Sequence, residues 1–238
     1  MCFTQNISFS IGIIGILAAF ILFNNKFYYA SIATFYFSLM EIIQGFQYFV
    51  INQCKNNINK LLTYIGYIHI CFQPVFISLL LYEFVNNKKK NFNYLLFIIS
   101  ISLIGGLLLF SRIYVPNNNE LCNYRIEPLC GKNTCSLSGL YHIIWHIRLR
   151  APGSYWLTPS MGLHFFLWVV PFIVFGLILK NYKIIILTLF TIIIPIILTI
   201  LIYYKNLSYE DFIHEIPSIW CIIFIPQIII TFIILFLF

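Results

Sequence analysis

Gly66-Tyr67-Ile68-His69-Ile70-Cys71-Phe72-Gln73-Pro74 lies inside an apolar run from 61 to 85, and how that run is read decides the fold. It is long enough for a membrane span, which needs about 20 apolar residues. Within it His69 and Gln73 stand four residues apart and share one helix face. In hydrocarbon neither side chain is tolerated without a partner. The preceding apolar run carries Met40-Glu41-Ile42-Ile43-Gln44, with Glu41, Gln44 and Tyr48 at i, i+3 and i+7 on one face beside Gly45. If the two runs are neighbouring helices of opposite direction, Glu41 and His69 each lie about ten residues from the outer end. At 1.5 Å per residue they then share a depth.

Beyond these two runs, the 238-residue chain is 61% apolar and only 9% charged, far from the roughly one-quarter charged residues of soluble domains. Seven runs are candidates to span a bilayer: 8–23, 28–51, 61–85, 93–113, 160–179, 184–204 and 213–238. The expected fold is all-α: one integral, multi-pass bundle of seven transmembrane helices over residues 1–238. The first run has no positive residue before it and no small-residue cleavage site after it, so it reads as a retained helix and not a signal peptide.

Short loops dense in lysine, at Lys26, Lys88 to Lys90, and Lys180 with Lys183, mark the cytoplasmic side. Cys2, Cys54, Cys122, Cys130 and Cys135 then fall on the opposite side with the amino terminus, as in an oxidising compartment. Cys54, Cys122, Cys130 and Cys135 suit two disulfides, with three pairings open. The long outer connection, 114–159, carries Ser138, His142, His146 and Arg150 at four-residue intervals among apolar residues, which predicts an amphipathic interfacial helix at about 136–150. The net charge of +7 is spread over membrane-flanking loops, where it meets anionic headgroups. The bilayer is the expected partner, and nucleic acid is not.

All five histidines fall in the outer half of this arrangement, which predicts an outward-opening polar pocket. Glu41 and His69 are the candidate catalytic pair, and Gln44, Gln73, Glu215 and Trp220 the candidate ligand-binding residues. His69, His142, His146 and His164 are the candidate metal ligands. Zinc is the candidate metal, because Glu41 could serve as general base toward a metal-bound water. The order Cys130-x4-Cys135-x6-His142-x3-His146 has a zinc-finger sequence of ligands with a shortened central gap. One reading is a metal or ligand site acting on a membrane-borne or small substrate, as in a zinc-dependent hydrolase. The other is a carrier, channel or seven-helix receptor for a proton, ion or small solute. The sequence leaves enzyme and non-enzyme open. The last run has no lysine, so retinal Schiff-base chemistry is not expected.

The phrases Ser38-Leu39-Met40-Glu41, His69-Ile70-Cys71-Phe72-Gln73-Pro74, Cys135-Ser136-Leu137-Ser138-Gly139, His164-Phe165-Phe166 and Pro217-Ser218-Ile219-Trp220-Cys221 resemble an uncharacterised family of multi-pass membrane proteins from large DNA viruses and marine microbes. That resemblance implies the architecture and no activity. A looser likeness, to the alkaline ceramidase group of membrane hydrolases, implies a histidine-held zinc with His142 and His146 as a pair and His69 as third ligand. The pair here lies in the middle connection and not in the last span.

Overall fold

A computed structural model describes the protein over residues 4–113, 121–125, 127–139, 143–151, 197, 201, 214 and 229–236. Four long helices come first: α1 (Gln5–Asn24), α2 (Tyr28–Gln47), α3 (Asn57–Glu83) and α4 (Lys88–Ser111), with a 3-10 turn, Tyr48–Val50, after α2. An antiparallel pair of strands follows, β1 (Cys135–Ser138) and β2 (Ile143–His146), with Cys135 opposite His146 and Ser138 opposite Ile143.

Consecutive helices pack antiparallel, as their short connections require. Along α1 the small residues Gly12, Gly15, Ala18 and Ala19 are buried, the kind of stripe that lets apolar helices approach closely. Ser31 Oγ donates to Ala19 O at 2.8 Å near one end of the α1/α2 contact, and Phe9 meets Phe46 edge-on near the other. Between α3 and α4 the close approach is at Gly106, where a Cβ would stand 2.6 Å from the Cys71 carbonyl oxygen. Tyr67 Oη donates to Leu109 O at 2.8 Å in the same interface.

α2 begins at a residue that cannot cap it, since Phe27 has no side-chain acceptor. Glu83, at the end of α3, supplies the cap from across the bundle. Its Oε2 accepts from Tyr29 N at 2.9 Å and Ala30 N at 3.1 Å, while Oε1 accepts from Lys88 Nζ. Leu22, Ala30, Ile77, Leu80 and Leu95 form an apolar core at this lysine-bearing end, and the helical residues 229–236 pack against it. A second core, at the cysteine-bearing end, joins Met40, Tyr67 and Cys71 to Ile143, Trp145, Ile147 and Leu149. Lys26 and Lys88 to Lys90 thus lie at the opposite end of α1–α4 from Cys54, Cys122, Cys130 and Cys135.

Two expectations are corrected. Among the described residues α1, α3 and α4 are long and apolar enough to cross a membrane. Three candidate spans therefore replace the seven-helix bundle. α2 falls short because its buried face is polar, carrying Ser31, Thr34, Ser38, Glu41, Gln44 and Gln47. An apolar run is equally the signature of a helix buried in protein, so counting runs overstates crossings. The expected fifth and sixth spans (160–179 and 184–204) lie outside the described residues except for Ile197 and Leu201. The same holds for the seventh (213–238) except for His214 and residues 229–236.

The second correction concerns 136–150, whose described residues carry the strand pair and not an interfacial helix. A repeat of four is also a multiple of two, so Ser138, His142, His146 and Arg150 fit one side of an extended chain as well as one face of a helix. The odd positions decide: Ile143, Trp145, Ile147 and Leu149 are all buried. Side chains from α3 and the segment before it then hold the extended backbone. Asn59 Oδ1 accepts from Ser136 N at 2.9 Å, Asn59 Nδ2 donates to Ser136 O at 3.1 Å, and Asn52 Oδ1 accepts from Ser138 N at 2.8 Å.

Candidate functional site

Glu41, Gln44 and His69 are buried in the helices, Glu41 at 2% exposure and His69 at 6%. His69 is gripped by Tyr36 of α2. The rings stack at 3.9 Å with 12° between planes, Tyr36 Oη donates to His69 O at 2.7 Å, and His69 Nε2 lies 2.8 Å from Tyr36 O. A carbonyl oxygen only accepts, so Nε2 carries a proton, and in the neutral ring Nδ1 keeps its lone pair. Among the described residues that Nδ1 is buried with no hydrogen-bond partner.

Glu41 does not meet this imidazole. At 100° per residue it sits about 140° round α2 from Tyr36. That places it between the stripe facing α1, with Ser31 and Ile42, and the stripe facing α3, with Tyr36 and Gln47. Its Oε2 is buried and has no hydrogen-bond partner among the described residues, and neither described ion pair, Lys88–Glu83 or Arg112–Glu127, involves it. Among the described residues the helices therefore hold two buried polar atoms without partners, Glu41 Oε2 and His69 Nδ1, on different faces of the bundle contacts. Gln73 is half-buried one turn beyond His69 on α3.

The cysteine-bearing end is a cross-linked cap. Cys54 pairs with Cys135 and Cys122 with Cys130, which selects one of the three pairings left open by the sequence and tethers the long connection to the start of α3. These bonds also separate the zinc-finger order, because Cys130 and Cys135 belong to different disulfides. Cys122, Glu127 and Cys130 are close enough to share an ion, but both sulfurs are in the disulfide and Glu127 is paired with Arg112. Burial pushes the Glu127 carboxyl up from its ordinary value, while Arg112 pulls it the other way.

His146 projects from β2 toward His214, their ring centroids 4.8 Å apart. Burial, and then the His214 ring, hold His146 down at about 4, so it is neutral near pH 7. Of the sequence-derived metal set, His69 and His146 are described and His142 and His164 lie outside the described residues, as do Glu215 and Trp220. The His146–His214 contact, the Tyr36 grip on His69 and the Glu83 cap have no local signature in the sequence.

The model of a family of unknown function, DUF5765, matches residues 6–236, and the chain belongs to that family. No curated protein and no solved structure matches it.

Proposed function

We propose that this DUF5765 protein is a multi-pass integral membrane protein in which Glu41 and His69 bind a proton or small cation, as in a carrier, channel or receptor. α1, α3 and α4 have the length and apolarity to cross. α2 lies antiparallel between α1 and α3 and, at about 30 Å long, covers the same depth with its polar face turned into the protein. Large apolar side chains face outward along α1 and α4, among them Ile14, Leu17, Phe20, Phe97, Ile104 and Leu107. That surface suits lipid and not water.

The observation that carries the reading is the buried Glu41 Oε2, which has no hydrogen-bond donor among the described residues. An uncompensated carboxylate in an apolar interior is costly, so the site holds either the neutral acid or a cation beside the anion. His69 Nδ1 offers a second lone pair of the same kind. The zinc-hydrolase alternative has less support. Its ligands would have to converge, yet His146 turns to His214 and His69 to Tyr36.

The test is proton flux into proteoliposomes holding the full-length protein and a lumenal pH dye, with an imposed potential. The wild type should exceed Glu41→Gln several-fold, and His69→Gln should fall between them or match the lower. A receptor that binds without transport should instead show a protonated-carboxyl infrared band that is lost in Glu41→Gln. If the variant matches wild type in both measurements, the reading is wrong.

A further inference from the structure

A second pair of imidazoles lies apart from Glu41 and His69, in the disulfide-bonded cap. His214 is 8% exposed, and its Nε2 is 2.7 Å from the Tyr124 carbonyl oxygen. Because that oxygen only accepts, Nε2 bears a proton, and in the neutral ring Nδ1 keeps its lone pair. Nδ1 is buried and has no hydrogen-bond partner among the described residues. A ring N–H anchored on a backbone carbonyl, with the other nitrogen left free, is how proteins orient a metal-ligating histidine.

The neighbouring ring fits the same role. At metal–nitrogen bonds of about 2.0–2.1 Å, two imidazoles on one ion, at an angle between roughly 90° and 110°, have centroids roughly 4.5–5.2 Å apart. The His146 and His214 centroids are 4.8 Å apart, with planes inclined at 55°. Each ring is also held on a constrained segment. His146 pairs across the strands with Cys135, which is bonded to Cys54. Tyr124 sits inside the loop closed by Cys122 and Cys130. His146 is only half-buried, which leaves solvent a way in.

We propose that His146 and His214 together bind one borderline transition-metal ion, Zn2+ or Cu2+, with water or an exogenous group completing the coordination. Two imidazole nitrogens select this class, because hard cations such as Mg2+ and Ca2+ require oxygen ligands. Cys54, Cys122, Cys130 and Cys135, all in disulfides, supply no thiolate. With only two protein ligands the ion is exchangeable, which suits capture or delivery of a metal at this face of the protein.

The test uses the full-length protein in detergent under non-oxidising, non-reducing conditions, purified on a histidine-free tag and stripped with chelator. Zn2+ alone, in equilibrium dialysis, should bind at one ion per chain. His146→Gln and His214→Gln should each weaken binding by roughly tenfold or more, and His69→Gln should leave it unchanged. Cu2+ should give an electron-paramagnetic spectrum with two-nitrogen coupling that falls to one in His146→Gln. That spectral comparison decides the matter even if His214→Gln does not fold. Absence of stoichiometric metal at micromolar concentrations, wild-type affinity in both variants, or loss of binding in His69→Gln would each overturn the proposal.

Discussion

Trp145 donates its indole N–H to the Gln47 side-chain oxygen at 3.0 Å, joining β2 to the end of α2. The same carboxamide donates from Nε2 to Leu62 O at 3.0 Å, so one buried glutamine connects α2, α3 and the strand pair. Gln47→Leu strands the Trp145 N–H in the second apolar core, at a cost of about 1–3 kcal/mol. Trp145→Phe removes the donor together with packing. The double variant should therefore be less destabilised than the sum of the two singles. Thermal unfolding in detergent, followed by circular dichroism, reads this coupling. Additive losses would mean that the bond contributes nothing.

Glu83 holds the opposite end together through Tyr29 N, Ala30 N and Lys88. Glu83→Ala removes the only described side-chain cap on α2 and is expected to cost about 1–2 kcal/mol. Glu83→Gln keeps one acceptor and should cost less, while Lys88→Ala, on the half-exposed side of the pair, should cost under about 1 kcal/mol. The predicted order of midpoints is wild type, Lys88→Ala, Glu83→Gln, Glu83→Ala. If Lys88→Ala proves the worst of the three, the carboxylate serves the lysine and not the helix.

The helical part of the fold was legible because long apolar runs leave few alternatives, and α1, α3 and α4 cover most of the runs at 8–23, 61–85 and 93–113 while beginning three to five residues earlier. What the runs concealed is that α2 buries a polar face and so belongs to the interior. The strand pair was hidden by arithmetic, since a spacing of four serves either period. The cysteines announced their number and their side. Their partners depend on where the connection returns to α3, which Asn59 and Thr63 decide through Ser136. Glu41 and His69 stood out as polar residues in apolar runs, yet the direction His69 faces is set by Tyr36, one aromatic residue among many in the sequence.

Gly106 sets how near α4 comes to α3. Its missing side chain leaves room for the Cys71 carbonyl oxygen, which a Cβ would meet at 2.6 Å, with Phe72 ring atoms at 3.0 and 3.2 Å. Backbone cannot rotate aside as a side chain can, so Gly106→Ala must push the helices apart and should destabilise by about 1–3 kcal/mol. The better helix propensity of alanine offsets up to about 1 kcal/mol of this. Ser100→Ala, at an exposed position of the same helix, is the control. It should be neutral or stabilising, and equal losses at both positions would reject the close-approach account.

Arg112 and Glu127 form a buried ion pair where the last turn of the helical bundle meets the cap. Arg112 also donates from Nε and Nη2 to Arg150 O at 2.9 and 2.7 Å, so one guanidinium holds two segments of the connection. Glu127→Ala leaves that charge buried without its counter-ion and should cost about 3–5 kcal/mol, whereas Glu127→Gln, which keeps an acceptor, should cost less. The pH dependence has a definite sign. Burial raises the folded carboxyl above its unfolded value near 4.5, in spite of Arg112. The folded state therefore binds this proton more readily, and Glu127's contribution is fullest below about pH 4.5 and declines as pH rises through the folded value. Relative to Glu127→Gln, the wild-type midpoint should accordingly gain on acidification. A wild type that loses ground to the variant between neutral pH and pH 4 would show instead that Arg112 outweighs burial at this carboxyl.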